Sequence, residues 1–362
     1  HIFRRHPSGG LIEHVMTGGM DNPIEVVFTP GGERILTATF VVEPRHGLRD
    51  GILHAIYGGV YGREHGYLAG HPRTGPIMPV LAHHGGASAP CGFVRLETNQ
   101  LGTQYQNNLL ACSFNLRKVI RHVLQPDGAS FTTEDSDFLT CDSLDFHPTD
   151  VLEDADGSLL VVDTGGWYNL CCPSAHLSKP DVLGSIYRIR RTGSPQVHDA
   201  RGKQIAWTSI SNDELVALLA DQRFIVRNRA RQLLGKRGTS AVANLREVLA
   251  RSAEPQQRLQ AVWSLTQIAD SEARNSVRAA VQDKDETVRH AALHSISLHR
   301  DAAADKLLVN VLKGTSIPNR RAAAEALGRI GPAGAVGAIL DATADCTDPV
   351  LMHSLIYALI EP

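Results

Sequence analysis

No apolar run in the 362 residues reaches the roughly 18 to 20 needed to cross a bilayer, and the first residues show no leader pattern. Charge of one sign is also missing. A formal charge of −2 and a pI near 6.8 leave no long basic surface to neutralise phosphates, which argues against nucleic acid as a partner. Gly-x-Gly-x-x-Gly and the Walker sequence are absent, so no NAD or ATP site is expected. Neither a Gly-x-Ser-x-Gly elbow nor a His-Glu-x-x-His pair occurs, and without Cys-x-x-Cys-His no covalent haem attaches to this segment. Aromatic residues and glycine become scarce after residue 211, since 16 of 19 aromatics and 25 of 32 glycines precede it. Two architectures are therefore joined near that point.

What is present first is a repeated unit. Asn22-Pro23-Ile24-Glu25-Val26-Val27 leads to Gly31-Gly32 and Ile35-Leu36-Thr37, and His147-Pro148-Thr149-Asp150-Val151-Leu152 leads to Asp156-Gly157 and Leu159 to Asp163. Each reads as strand, tight glycine turn, strand. A third copy starts at Pro90 to Arg95 with Asn108 to Phe114, and outer strands are legible at 51–57, 118–124 and 184–190. Such a unit cannot cover both of its faces alone, so the spacing predicts a partial β-propeller over residues 1–192, about three blades and part of a fourth. Closure needs four to eight blades, and the chain starts in what reads as mid-strand and stops inside a repeat. An excised piece of a larger disc is the expectation.

A linker over 193–212 is predicted to lead into an all-α part, 213–362. Arg227, Arg258, Arg289 and Arg320 stand 31 residues apart, followed at fixed offsets by Ala230, Ala261, Ala292 and Ala323 and by Leu234, Leu265, Ile296 and Leu327. This periodicity predicts an α-solenoid resembling short HEAT repeats, truncated at its C-terminus, which presents a surface to a protein partner. The repeating arginines are expected to brace the stack by pairing with Asp221, Asp283 and Asp345 of the turns, in preference to forming an anion stripe.

Strand direction gathers polar residues at one end of the strand region. The candidates are His83, His147 and Asp163 for catalysis, with Asp21, Asn22, His84, Asn115, Trp167 and Tyr168 for ligand binding. Imidazoles, carboxylates, amides and aromatics together suit a polar small molecule. Each also has an ordinary reading: Asp163, Asn22 and His147 flank turns, and Trp167 and Tyr168 suit packing against a neighbouring blade. His83-His84-Gly85-Gly86 matches neither a core pattern nor a turn requirement, so it stands out as a base or metal ligand. Asp154-Ala155-Asp156-Gly157 opens like a calcium loop but lacks the twelfth-position Glu, and a plain hairpin is expected. Cys91, Cys112, Cys141, Cys171 and Cys172 fall near the same end, while Cys346 lies alone. Disulfides of an exported protein, buried thiols and a Cys/His metal site all remain open; Cys171 and Cys172 are too close to bridge each other without strain, so a bridge from one of them to Cys112 or Cys141 is the pairing to expect.

Phe146-His147-Pro148-Thr149-Asp150-Val151, Asp156-Gly157-Ser158-Leu159, Val162 to Tyr168 and Gly184 to Ile189 resemble the large "membrane-bound dehydrogenase" propellers of planctomycetes. Those in turn are similar to sorbosone and soluble quinoprotein glucose dehydrogenases. The resemblance covers about residues 1–192, and its HEAT-like tail follows the domain order of that group. It implies a periplasmic or extracellular bacterial protein that oxidises a sugar, polyol or aldehyde with pyrroloquinoline quinone and calcium. It further implies a histidine base, for which His83 and His147 are the candidates, and a c-type cytochrome module as partner. No Arg and Lys set for holding the quinone can be matched in this sequence. A non-enzymatic carbohydrate-binding or assembly scaffold is the alternative reading, and a glycoside-cleaving propeller using Asp21 and Asp163 is the third.

Overall fold

The computed structural model describes residues 2–6, 9–16, 18–43, 46–62, 70, 73–166 and 179–361. Chain contacts divide it into two compact units: residues 1–29, 34–127 and 131–196, and residues 30–33, 128–130 and 197–362.

The first unit is built of antiparallel meanders in which each strand bonds to the next in sequence. After a small hairpin of β1 (Ile2–Arg4) and β2 (Glu13–Met16) comes a four-stranded sheet. It holds β3 (Pro23–Phe28), β4 (Arg34–Glu43), β5 (Leu48–His54) and β6 (Ala82–His83), in that order. A second consists of β7 (Pro90–Arg95), β8 (Leu109–Ser113), β9 (Lys118–Asp127) and β10 (Ser130–Thr140), and a third of β11 (Pro148–Glu153), β12 (Leu159–Asp163) and β13 (Ser185–Ile189). Strand β10 was not foreseen: Thr-Thr-Glu-Asp-Ser-Asp carries no apolar alternation, because most of this edge strand faces solvent.

The burial pattern of β8 explains why the sheets stack. Successive side chains alternate faces, so Leu110 and Cys112 enter one core cluster with Val119, Val151 and Val161, while Leu109 and Ala111 enter another with Val27, Ile35, Ile52 and Phe93. A strand apolar on both faces belongs in the middle layer, and each fully buried leucine there contributes about 1.5–3 kcal/mol. The first strands β3, β7 and β11 lie side by side in sequence order. Gly92 lets β7 come close to β11, since a Cβ there would lie 2.4 Å from the Cα of Asp150. Glu25 braces the other junction, between β3 and β7, its carboxylate accepting from the Phe93 amide at 2.7 Å. The Asp154–Gly157 segment is a hairpin turn: Asp154 pairs with Arg188 at 2.8 Å and Asp156 with Arg190 at 2.7 Å.

The second unit carries ten described helices in alternating pairs. They are α1 (Asn212–Ala217), α2 (Phe224–Arg237), α3 (Val242–Arg251), α4 (Pro255–Thr266), α5 (Ser271–Ala280), α6 (Glu286–His299), α7 (Asp305–Leu312), α8 (Ile317–Ile330), α9 (Val336–Ala344) and α10 (Pro349–Ile360). Even-numbered helices stack in sequence order along the unit, with Ala230, Ala261, Ala292 and Ala323 completely buried at the helix contacts. Only a methyl fits where neighbouring helices come close. Caps at Asp270, Asp285, Ser316 and Asp348 start α5, α6, α8 and α10. Each satisfies otherwise orphaned amides, for about 1 kcal/mol.

The repeating arginines differ in partner from the expectation. Arg227, Arg258 and Arg289 each donate to the backbone carbonyls six and five residues earlier, at 2.7 to 3.1 Å. Those carbonyls end the preceding turn and have no helical partner, so the periodic cation serves the turn backbone first. Arg258 also reaches a repeat aspartate in bidentate form, Asp283 at 2.8 and 2.9 Å.

Candidate functional site

Within the first unit, the start of β5, the end of β6, the start of β7 and the end of β8 meet around the segment His83 to Ala89. The His84 amide donates to the Asp50 carbonyl at 2.8 Å, and Ala89 donates to Asp50 Oδ2 at 3.0 Å. Asn115 holds the same segment through its amide to Ser88 O and its side chain to Ala87 O, both 3.0 Å. Three residues of the loop have left-handed backbone, Gly85 (φ 67°), Gly86 (φ 64°) and Ala89 (φ 48°). Glycine adopts that region freely, whereas alanine does so only under constraint.

Under this loop lies a buried polar nest. Asp50, Ser88, Ser113 and His122 are completely inaccessible and His84 nearly so. His122 Nδ1 is 2.7 Å from Asp135 Oδ1, and its Nε2 is 3.1 Å from His84 Nε2. These contacts determine the protons. A carboxylate only accepts, so His122 carries hydrogen on Nδ1 and presents a lone pair at Nε2, to which His84 Nε2–H donates. Among the described residues His84 Nδ1 is left with a lone pair and no hydrogen-bond partner, and the Ser88 and Ser113 hydroxyls likewise have none. Burial pushes His84 well below the ordinary imidazole range, and neighbouring His122, Lys118 and His83 push it the same way. It is therefore a neutral base at pH 7. An unpaired buried acceptor costs about 1–3 kcal/mol, which a ligand hydroxyl would recover.

The other nominated residues divide. His83 is exposed, its ring set edge-on to Phe40 with centroids 5.3 Å apart, and desolvation lowers its pKa. His147 and Asp163 do come together, through the backbone: Asp163 Oδ1 accepts from the amides of His147 and Gly165, both at 2.8 Å. The His147 ring lies parallel to Phe114 at 4.5 Å, and the Phe114 amide in turn bonds Ala89 O at 3.3 Å. The carboxylate of Asp163 thus organises a turn, and Phe114 separates this pair from the nest. Asp21 and Asn22 are exposed, joined to Thr39 by backbone bonds. Among the described residues Cys91, Cys112 and Cys141 form no disulfide; Cys112 lies in one core cluster with Cys91 and Cys141 packed against it, and burial raises Cys91 to about 12. Trp167, Tyr168, Cys171 and Cys172 lie outside the described residues.

His122 and Asp135 escaped the sequence reading, and the first left a signal. In Val119-Ile120-Arg121-His122 the histidine shares the face of Ile120, so a polar side chain stands at an inward register.

Quinone and calcium would need converging cations and an oxygen-rich shell. Among the described residues at this end, Lys118 is paired with Asp137 at 2.8 Å and Arg49 lies 3.4 Å from Asp50. Arg117 turns to the Asp142 carbonyl at 3.4 Å. These residues do not fit the pair.

Comparison with known proteins places HEAT repeats at residues 242–318 and matches residues 67–192 to a domain of unknown function, DUF7133. No curated protein matches the chain. Among solved structures it is similar to human deoxyhypusine hydroxylase in complex with glycerol, at 21% identity and TM-score 0.30, over 41% of this chain and 60% of that one. It is also similar to a protein of Thermus thermophilus assigned as an oxidoreductase (glucose dehydrogenase), at 17% identity and TM-score 0.29, over 40% and 39%. A third is the CpcE–CpcF complex of phycocyanin lyase from Nostoc sp. PCC7120, at 21% identity and TM-score 0.35, over 46% and 71%. The chain spans less than two thirds of the first two. Activity has to be argued from the site's own chemistry.

Proposed function

We propose that the first unit is part of a β-propeller that binds a hydroxylated small molecule, a sugar, polyol or hydrated aldehyde, with His84 Nδ1 accepting a hydroxyl hydrogen. The observation that carries this is the Asp135–His122–His84 chain, which ends in a buried lone pair without a partner. Asp135 fixes the tautomer of His122, His122 fixes that of His84, and a proton arriving at Nδ1 can be shared along both rings. Ligand reaches Nδ1 when the loop from Gly85 to Ala89 lifts, and the two glycines supply the hinge.

Oxidation of that hydroxyl in an exported, dehydrogenase-like protein is the finer reading. The blade motifs support it: the hydroxyl proton passes to His84 Nδ1 and the hydride to a quinone-class acceptor supplied from outside the described residues. The HEAT solenoid would then dock a protein partner, a c-type cytochrome module being the one this chemistry calls for. A non-enzymatic carbohydrate-binding scaffold is the second reading, favoured by the backbone role of Asp163 and by the complete burial of His84 Nδ1.

The test is calorimetric titration of the full chain with a panel of aldoses and polyols, alongside dye reduction with added pyrroloquinoline quinone and calcium. Binding that weakens at least tenfold in His84→Gln, with His83→Gln unchanged, supports the site. Binding without dye reduction selects the scaffold. Equal affinity in wild type and His84→Gln overturns the assignment of the base.

A further inference from the structure

The second unit carries a different cluster, apart from the nest of the strand unit. His290 and His294 stand one helical turn apart on α6, on one face. Residues 30–33 belong to the same unit and bring Glu33 against them. Glu33 Oε1 is 2.5 Å from His290 Nε2 and 3.6 Å from His294 Nε2, and the two Nε2 atoms are 3.1 Å apart. All three side chains are buried, and among the described residues this is the group of His, Cys, Asp or Glu whose ligand atoms converge within 4.8 Å.

We infer that Glu33, His290 and His294 form a site for a divalent first-row transition metal, of which zinc is the natural probe. Tautomers provide the first argument. Asn319 Oδ1, 3.0 Å from His290 Nδ1, can only accept, so the hydrogen sits on Nδ1 and the Nε2 lone pair points at the Glu33 carboxylate. Two acceptors 2.5 Å apart inside the protein need either a proton or a metal cation between them. A ligating imidazole whose other nitrogen donates to a carbonyl is the usual outer-shell arrangement of such metals.

Spacing is the second argument. Around tetrahedral zinc with bonds of roughly 2.0–2.1 Å, ligand atoms stand about 3.3 Å apart. The contacts of 3.1 and 3.6 Å bracket that value, and only the Glu33–His290 pair would have to open. Two nitrogens and a carboxylate select zinc, iron, cobalt or nickel over calcium.

The cradle is the third argument. A Cβ at Gly31 would lie 3.2 Å from the His290 ring, and one at Gly32 would lie 2.8 Å from Trp263 and 3.2 Å from the His294 ring. The turn is therefore seated directly on the imidazoles, and Trp263 Nε1 fixes it by donating to Pro30 O at 3.0 Å. Arg321 also donates to Glu33 Oε1, yet its charge does not depend on that contact, because Glu325 and Asp348 face it too. Its Nη1 is buried with no partner among the described residues.

The experiment uses the full chain stripped by a chelator, titrated with zinc by calorimetry and with cobalt(II) by visible absorption. One equivalent of zinc is expected to bind, and cobalt to develop the d–d bands of a low-symmetry nitrogen and oxygen site. His294→Gln should abolish the bands, and Asn319→Ala, which removes no ligand, should weaken zinc binding about 10- to 100-fold. Should His294→Gln fail to fold, as judged by circular dichroism, Asn319→Ala decides alone. Absence of both heat and bands in the wild type would overturn the proposal and leave a protonated His290 as the cation. Unchanged affinity in Asn319→Ala would overturn it as well, by placing any bound metal elsewhere.

Discussion

Each unit buries a pair of histidines with Nε2 atoms 3.1 Å apart, and the pairs differ in where the carboxylate stands. In the strand unit Asp135 approaches the far nitrogen of His122, so protons line up in sequence and the surplus lone pair emerges at the other end of the chain. In the helical unit Glu33 approaches the same nitrogen that faces the second ring, so lone pairs converge on one point. The first arrangement suits sharing a proton and the second suits collecting a cation. Identical residue types acquire different chemistry from the side of the ring on which the acid sits.

The largest effect separating the two is electrostatic. Arg321→Ala leaves Glu33 buried without its guanidinium partner and strips the Ala129 carbonyl of its donor at 3.0 Å. Breaking a buried pair in this way costs about 3–5 kcal/mol. Denaturant unfolding followed by the helical circular dichroism signal should show that loss. Asp135 is the contrasting case, since its side chain is 37% exposed, and Asp135→Asn should cost less than about 1 kcal/mol. Equal losses would erase the distinction between the two clusters.

A second effect follows from His84. Its pKa lies below the ordinary value of 6.5 when folded, so the unfolded chain binds more protons once the pH falls beneath that value. Stability from this residue is fully present above about pH 6.5 and is lost as acidity increases, by up to about 1.4 kcal/mol per pH unit. Melting temperature between pH 7 and 5 should fall less steeply in His84→Gln than in the wild type. Parallel profiles would show that His84 is not held neutral, and the proton chain would lose its terminal base.

Much of this was legible in the sequence, for identifiable reasons. The 31-residue spacing of Arg, Ala and Leu reports a helix stack because each repeat meets the same neighbours, and the strand–turn–strand copies report meanders because sheet faces alternate with period two. The loop from His83 to Ala89 stood out by its chemistry, and it does cover the polar nest. What stayed hidden depends on distant partners. Glu33 reads as part of a glycine turn, and its histidines lie 257 and 261 residues away. Asp135 reads as one of several acids in a solvated stretch until His122 points at it. The expected arginine–aspartate ladder went partly astray because turn carbonyls, which sequence does not display, compete for the guanidinium. His147 and Asp163 meet only through the His147 backbone amide, and amide donors occupy the carboxylate.

The smallest effect compares two left-handed residues, one from each unit. Ala89 has φ 48° and Arg300 has φ 47°, and an L-residue there carries about 1–2 kcal/mol of strain that glycine escapes. Glycine also loosens the unfolded chain, which returns about 0.5–1 kcal/mol of that gain. Ala89→Gly keeps the backbone bonds of the residue, to Asp50 Oδ2 and from the Phe114 amide and the Cys91 thiol, so a net gain of up to about 1 kcal/mol should appear as a higher melting temperature. Arg300→Gly gains the same relief at the end of α6 and loses the guanidinium bond to Arg329 O at 2.8 Å. Hydrogen bonds from charged donors contribute about 1.5–3 kcal/mol, so that variant should be no more stable than the wild type. If Ala89→Gly also fails to stabilise, the loop over the nest is not strained, and its readiness to lift away from His84 must come from the two glycines alone.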